Sequence, residues 1–215
     1  DEHTSRGLGD VYKRQLDEFQ SSLASKSATP GGGTASAVAL GQSAALVAMV
    51  SRLTIGNEKW QDGWNHSQSA LETASEVMES SNRLAIEDSQ AFDEVMSAFK
   101  LPKTTEVETG LRKESIRKAT LLAAEVPYNT ASLAIKLLEI MEPLSKSCNA
   151  NAVSDVGVAC LLATAGCKGA LFNVEINLNS LPADLGSDMR NNIEQINEQC
   201  RELSKAIMHN VKSRL

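Results

Sequence analysis

Between Ala28 and Ser51 the chain carries no charged residue. Few folds accommodate such a stretch. Within TPGGGTASAVALGQSAALVAMVSRLTIG (Thr29–Gly56), the small residues Gly33, Ala37, Gly41 and Ala45 recur at every fourth position, one row on a helix. Val38, Leu46, Met49 and Leu53 occupy another face, and Leu40, Val47 and Val50 a third. A helix apolar on all sides either spans a membrane or forms the buried centre of a helical protein. Its length would suffice for a span. Thr34, Ser36, Gln42, Ser43, the lack of other such stretches and a mildly negative mean hydropathy favour the buried helix. Thr29 is expected to cap it and Pro30 to open it. Gly31, Gly32 and Gly33 would then leave backbone N–H groups bare at the positive end of the helix dipole, fit for a carboxylate or phosphate. The same glycines would equally serve a tight entry against a neighbour.

The 215 residues suffice for one domain with a sizeable core. A net charge of −6 without a basic block disfavours nucleic acid and anionic membrane as partners. The four cysteines show no C-x-x-C spacing, and Cys160 and Cys167 share a helix face as small core residues. No signal peptide is evident, so a cytoplasmic location is expected. Ser5–Gln15, SRGLGDVYKRQ, is encoded without a mismatch by a sequencing-library adapter, and Asp1–Thr4 fits the end preceding it. Residues 1–15 are therefore expected to be a translated scar, and 16–215 a single domain beginning at Leu16.

The remaining chain reads as helices. A short amphipathic helix is expected over Leu16–Ser25. Asn57–His66 is a polar connection holding Lys59, Trp60 and Trp64, either a ligand wall or a loop packed on the bundle. Ser67–Lys100 presents Leu71, Ala74, Met78, Ser81, Ala85, Asp88, Phe92, Val95 and Phe99 as a seam. Asp88 within it must be paired, hydrogen-bonded or facing a cavity, so structural and functional roles both stand. Thr104–Thr109 reads as a loop, and helices follow over 110–126 and 128–146, with Pro127 kinking or breaking them. A second nearly uncharged helix begins in NANAVSD (Asn149–Asp155), capped by Asn149 or Asn151, and Asn173 and Asn177 on it need partners if buried. The last helix is expected over Ser187–Arg214. No β alternation appears, so the fold class is all-α: a multihelical bundle with a buried central helix.

Two carboxylates in apolar helices, Asp88 and Asp155, and a glycine-rich helix start form a kit for proton transfer on a bound anionic substrate. His66 and His209 lie in polar settings and argue for no metal centre. No nucleophile elbow, P-loop or dinucleotide fingerprint is present.

Four motifs in order resemble the cyclodeaminase/cyclohydrolase family: TPGGGTASAVALGQSAALVAMVSRLTIG, DSQAFDEVMSAFKLPK, AAEVPYNTA, and NANAVSDVGVACLLA with GALFNVEINLNSL. That family includes the C-terminal domain of formiminotransferase-cyclodeaminase and free-standing methenyltetrahydrofolate cyclohydrolases. The resemblance implies an all-helical, dimeric folate enzyme of one-carbon metabolism, with a tetrahydrofolate derivative as substrate and no prosthetic group. A formiminotransferase is an implied partner. By position, Pro30, Gly31, Gly32 and Gly33 would shape the folate pocket. Asp88 would be the leading acid/base, supported by Asp155 from the facing buried helix, and Asn151 and Ser154 would line the site. Lys59 stands where the family often carries a lysine-rich run; IGNEK here weakens a grip on a polyglutamate tail. The sequence does not separate the two activities; the reading leans toward formiminotetrahydrofolate cyclodeaminase, with methenyltetrahydrofolate cyclohydrolase the alternative. A non-catalytic helical assembly protein is the competing class. The long seams on Ser67–Lys100 and Ser187–Arg214 would serve a homodimer.

Overall fold

The computed structural model describes residues 2–215, with side chains from residue 13 onward. It divides into two compact units between Gly31 and Gly32, whereas the sequence placed a boundary after Gln15. The first unit holds α1 (Glu2–Leu23), which begins well before the expected start at Leu16. Leu16 and Leu23 on it are exposed.

The second unit is all helical: α2 (Gly32–Thr54), α3 (Trp64–Phe99), α4 (Glu106–Ser147), α5 (Val153–Asn179) and α6 (Ser187–Lys212). No strand occurs among the described residues. α2 is the buried central helix, packed between α3 and α5. Twelve of its 23 residues are buried. It starts at Gly32, so neither Thr29 nor Pro30 occupies the expected capping and first-turn positions.

The small-residue row explains how α2 is surrounded. Gly41 meets α3, where a Cβ would stand 2.6 Å from the Ser81 hydroxyl. On the α5 side the glycines belong to the partner helix: a Cβ at Gly166 would stand 2.9 Å from the Ser36 carbonyl oxygen. Ser43 donates its hydroxyl to the Ala159 carbonyl at 2.7 Å. At the far end, Asn149 Nδ2 donates to the Leu53 carbonyl at 3.1 Å. These pairings run in opposite directions along the two chains, so α2 and α5 are antiparallel. Both are long and apolar enough to cross a membrane, so α2 is not the sole such stretch. About half of each apolar window is buried inside the bundle, 56% and 50%.

Several local expectations shift. The buried line on α3 runs through Ala70, Ala74, Val77, Ser81, Leu84, Ala91 and Ala98. Phe92 and Phe99 from the expected seam are exposed. Small side chains fill the contact because α2 approaches closely. α3 packs against α2 and α4, and α6 against α4 and α5, while Phe92 and Phe99 of the expected α3 seam stay outside these contacts.

α4 does not break at Pro127. It is one 42-residue helix, opened by a capping box of Thr105 and Glu108 in what reads as a loop. Pro127 has no N–H for the Ala123 carbonyl four residues earlier. Asn177 of α5 supplies the missing donor: its Nδ2 reaches the Ala123 oxygen at 2.8 Å. Arginines close three helix ends, matching positive charge to orphan carbonyls. Arg112 binds the Phe99 carbonyl of α3, Arg214 the Ser145 carbonyl of α4, and Arg190 the Leu178 carbonyl of α5.

Candidate active site

The first turn of α2 abuts the middle of α3. Gly33 is buried there, and the Asp88 carboxylate lies directly over it. A Cβ at position 33 would stand 2.7 Å from the Asp88 Cγ, a separation no folded side chain tolerates. Glycine is thus required by close approach, not by an unusual backbone angle. The next residue holds the acid: Thr34 Oγ1 donates to Asp88 Oδ2 at 2.9 Å. Ser89, which follows Asp88 on α3, sits with its hydroxyl 3.3 Å from Thr34 Oγ1. Asn173 of α5 closes the same corner: a Cβ on Gly32 would lie 3.7 Å from its Nδ2, which donates to the Gly169 carbonyl.

Burial raises the proton affinity of Asp88 above the ordinary carboxylate value. The hydroxyl and backbone N–H of Thr34 pull it partly back, and burial wins. The acid therefore sits nearer the protonation balance a general base needs. Thr34 and Ser89 were not read as site residues. Thr34 counted only as polarity against a membrane span, and the adjacency of Ser89 to Asp88 was the available signal.

The chain matches the family of formiminotransferase-cyclodeaminase over residues 15–202. It is 33% identical over 201 residues to the methenyltetrahydrofolate cyclohydrolase of Methylorubrum extorquens, covering 93% of this chain and 97% of that one. This chain belongs to the formiminotransferase-cyclodeaminase family. The formimidoyltransferase-cyclodeaminase of Rattus norvegicus is 26% identical over 200 residues, and the match spans only 37% of its length. The crystal structure of formiminotetrahydrofolate cyclodeaminase from Thermotoga maritima superposes with a TM-score of 0.76 at 28% identity, covering 93% of this chain and 94% of that one.

The residues that membership of this family drew together divide into separate groups. Pro30 and Gly31 lie in the first unit, and Gly32 and Gly33 in the second. Gly32, Gly33 and Asp88 meet at the start of α2. Asn151, Ser154 and Asp155 lie at the start of α5, which the antiparallel pairing puts toward the other end of α2. Ser43 faces Ala159, one turn from Asp155. Asp155 is therefore about 14 residues along α2 from Gly33, or about 20 Å at 1.5 Å per residue. Support of Asp88 by Asp155 within one subunit is thus corrected. Asp155 stands in the first turn of α5, where a carboxylate complements the helix dipole. Asn151 and Ser154 are exposed. Neither Asn149 nor Asn151 caps α5, whose N-cap is Ala152; Asn149 caps the short turn Ala150–Ala152 before it, accepting from the Asn151 N–H at 3.0 Å. Lys59 lies beyond the C-terminal end of α2, about 33 Å of helix from its start. It is exposed, with its Nζ 5.0 Å from the Trp60 ring centroid. Trp64 is half-buried and donates to the Asn57 carbonyl at 3.2 Å, so this loop packs on itself.

A groove of about 770 Å³ between the outer halves of α3 and α4 is lined by Ser97, Leu101, Lys118 and Leu122 among others, without Asp88. The Asp88 corner is the candidate site on chemistry: a half-buried acid, a held hydroxyl and a helix start meet there.

Proposed function

We propose that this chain hydrolyses 5,10-methenyltetrahydrofolate to 10-formyltetrahydrofolate, with Asp88 as the general base. What supports the reaction is the end-to-end match to the cyclohydrolase of M. extorquens, a relative of the same length class. What supports the residue is the raised proton affinity of Asp88 at the start of α2. The ionised carboxylate takes a proton from water as the water oxygen bonds to the methenyl carbon between N5 and N10. The adduct then loses its hydroxyl proton, the bond from that carbon to N5 breaks, and N5 takes a proton back from Asp88. One proton leaves to solvent. The substrate carbon is cationic, and a carboxylate beside it stabilises the charge throughout.

The cyclodeaminase reaction, toward which the sequence reading leans, is the second reading, supported by the likeness to the T. maritima enzyme. There N10 attacks the formimino carbon, Asp88 takes the N10 proton, and the same acid protonates the leaving ammonia. Supplying methenyltetrahydrofolate and formiminotetrahydrofolate separately distinguishes the two. Loss of methenyl absorbance without ammonia supports the first, and ammonia release with a gain of absorbance supports the second. Neither activity would overturn both and favour a non-catalytic protein.

We also infer that the enzyme works as a homodimer through the outer face of α5. Val158, Leu161, Phe172 and Ile176 on that face are 49%, 58%, 70% and 68% exposed. Ser154 continues the same stripe. A two-fold pairing of α5 with its copy about an axis perpendicular to the helix runs the two helices antiparallel. That carries Ser154 and Asp155 of one copy toward the Asp88 end of the other, completing the constellation that one subunit separates.

A further inference from the structure

We propose that Thr34, backed by Ser89, is the positioning residue for Asp88: its hydroxyl fixes Oδ2 and leaves Oδ1, over Gly33, to the reacting centre. This rests on the reading of Asp88 as the proton-transfer group. The argument is one of proton inventory. A threonine hydroxyl carries a single proton. Thr34 gives it to Asp88 Oδ2 at 2.9 Å. Ser89, 3.3 Å from Thr34 Oγ1, must then be the donor in that contact. With Asp88 ionised, the hydrogens run Ser89 to Thr34 to Asp88. When Asp88 takes the proton on Oδ1, Thr34 still donates to Oδ2 and Ser89 to Thr34, so the same order of hydrogens holds. Both protonation states keep full hydrogen bonding without any heavy atom moving. That is the preorganisation a proton-transfer group requires.

No charged group substitutes for this chain. α2 carries no charge from Gly32 to Ser51. On the elements packed around the site, Glu87 and Asp93 flank Asp88 on α3, Glu125 lies on α4, and Lys168 and Glu175 lie on α5. None of them pairs with Asp88: Glu87 pairs with Arg83, and among the described residues the only side chain bonding the Asp88 carboxylate is that of Thr34. The α2 helix start and the α3 acid are therefore tied together through neutral groups, the hydroxyl and backbone N–H of Thr34.

The test is the pH dependence of methenyltetrahydrofolate hydrolysis in the parent, Thr34→Val, Thr34→Ser, Ser89→Ala and Asp88→Asn. Thr34→Val keeps the shape and removes the donor. It should lower kcat about ten- to a hundred-fold, the rate equivalent of one hydrogen bond to a charged group, with KM little changed. Losing a donor to the carboxylate makes it harder to ionise, so the acidic limb of the profile should move to higher pH. Thr34→Ser should restore both kcat and the limb, and Ser89→Ala should shift them the same way by less. If Thr34→Val melts early, Thr34→Ala carries the same comparison. An unmoved limb and parental kcat in the donor-free variant, beside an inactive Asp88→Asn, would overturn the positioning role and leave the reading of Asp88 intact. An active Asp88→Asn would overturn that reading, and this inference with it.

Discussion

The carboxylate of Asp88 occupies the space that a side chain on Gly33 would need. Its Cγ lies 2.7 Å from where a Cβ would be built, and its Oδ2 2.8 Å away. One helix therefore gives up a side chain so that another can place an acid at its first turn. Asp88 acts there as a cap brought from a neighbouring helix, in the role Thr29 was expected to fill. Structure and chemistry share one group, and they separate by substitution.

Gly33→Ala should displace the carboxylate, because the new Cβ would occupy the space that Asp88 Oδ1 and Cγ now fill. Overpacking of this kind costs about 1–3 kcal/mol. Turnover should fall further than this loss of stability explains, since the proton acceptor moves from its place. Thermal melts and turnover on the same preparation check this. Parental values for both would mean that the corner is looser than its contacts indicate.

The Pro127–Asn177 relationship predicts a coupled pair. Asn177→Ala leaves the Ala123 carbonyl without a donor and should cost about 1–3 kcal/mol, as for a buried polar group left unpaired. Pro127→Ala returns a backbone N–H at the right position. In that background Asn177→Ala should cost clearly less, and denaturant melts of the four proteins measure the coupling.

These elements also mark what the sequence makes legible. The all-α class and the buried α2 follow from charge-free stretches, and Asp88 stands out as an acid in an apolar seam, all local patterns; its assignment as acid/base rests on the family resemblance instead. The continuity of α4 through Pro127 is not local, because its compensation comes from a residue 50 positions away on another helix. The capping box at Thr105 and Glu108 is local, but the polar run around it reads as loop. On α3 the expected seam takes in Phe92 and Phe99, while the buried line against α2 is mostly small side chains facing the small-residue row. The separation of Asp88 from Asp155 depends on the direction in which α2 and α5 pass each other, and neither helix's own pattern contains that.

If the site spans a dimer, Asp88→Asn and Asp155→Asn should complement each other. Each variant alone should be slow. Mixed subunits should recover about a quarter of parental activity, since half the dimers are mixed and each holds one intact site. No recovery in a mixture that light scattering reports as dimeric would remove Asp155 from the site.

The raised proton affinity of Asp88 has a consequence for stability. An acid harder to ionise in the folded protein stabilises it fully below the ordinary carboxylate value of 3.8 and loses that contribution as pH rises through the folded value. Asp88→Asn, neutral at every pH, avoids the loss. The variant should melt at or above the parent at neutral pH, with the difference shrinking toward acid. A variant that melts far below the parent at pH 7 would make Asp88 a structural cap first.

The most direct test is the turnover of Asp88→Asn on methenyltetrahydrofolate, relative to the parent. The amide keeps the shape of the side chain but cannot accept the proton. Turnover should fall by about 10²–10⁴-fold, the range for a general acid–base group, in a protein that still melts cooperatively and binds folate. Near-parental turnover would contradict the account and remove Asp88 from the chemistry.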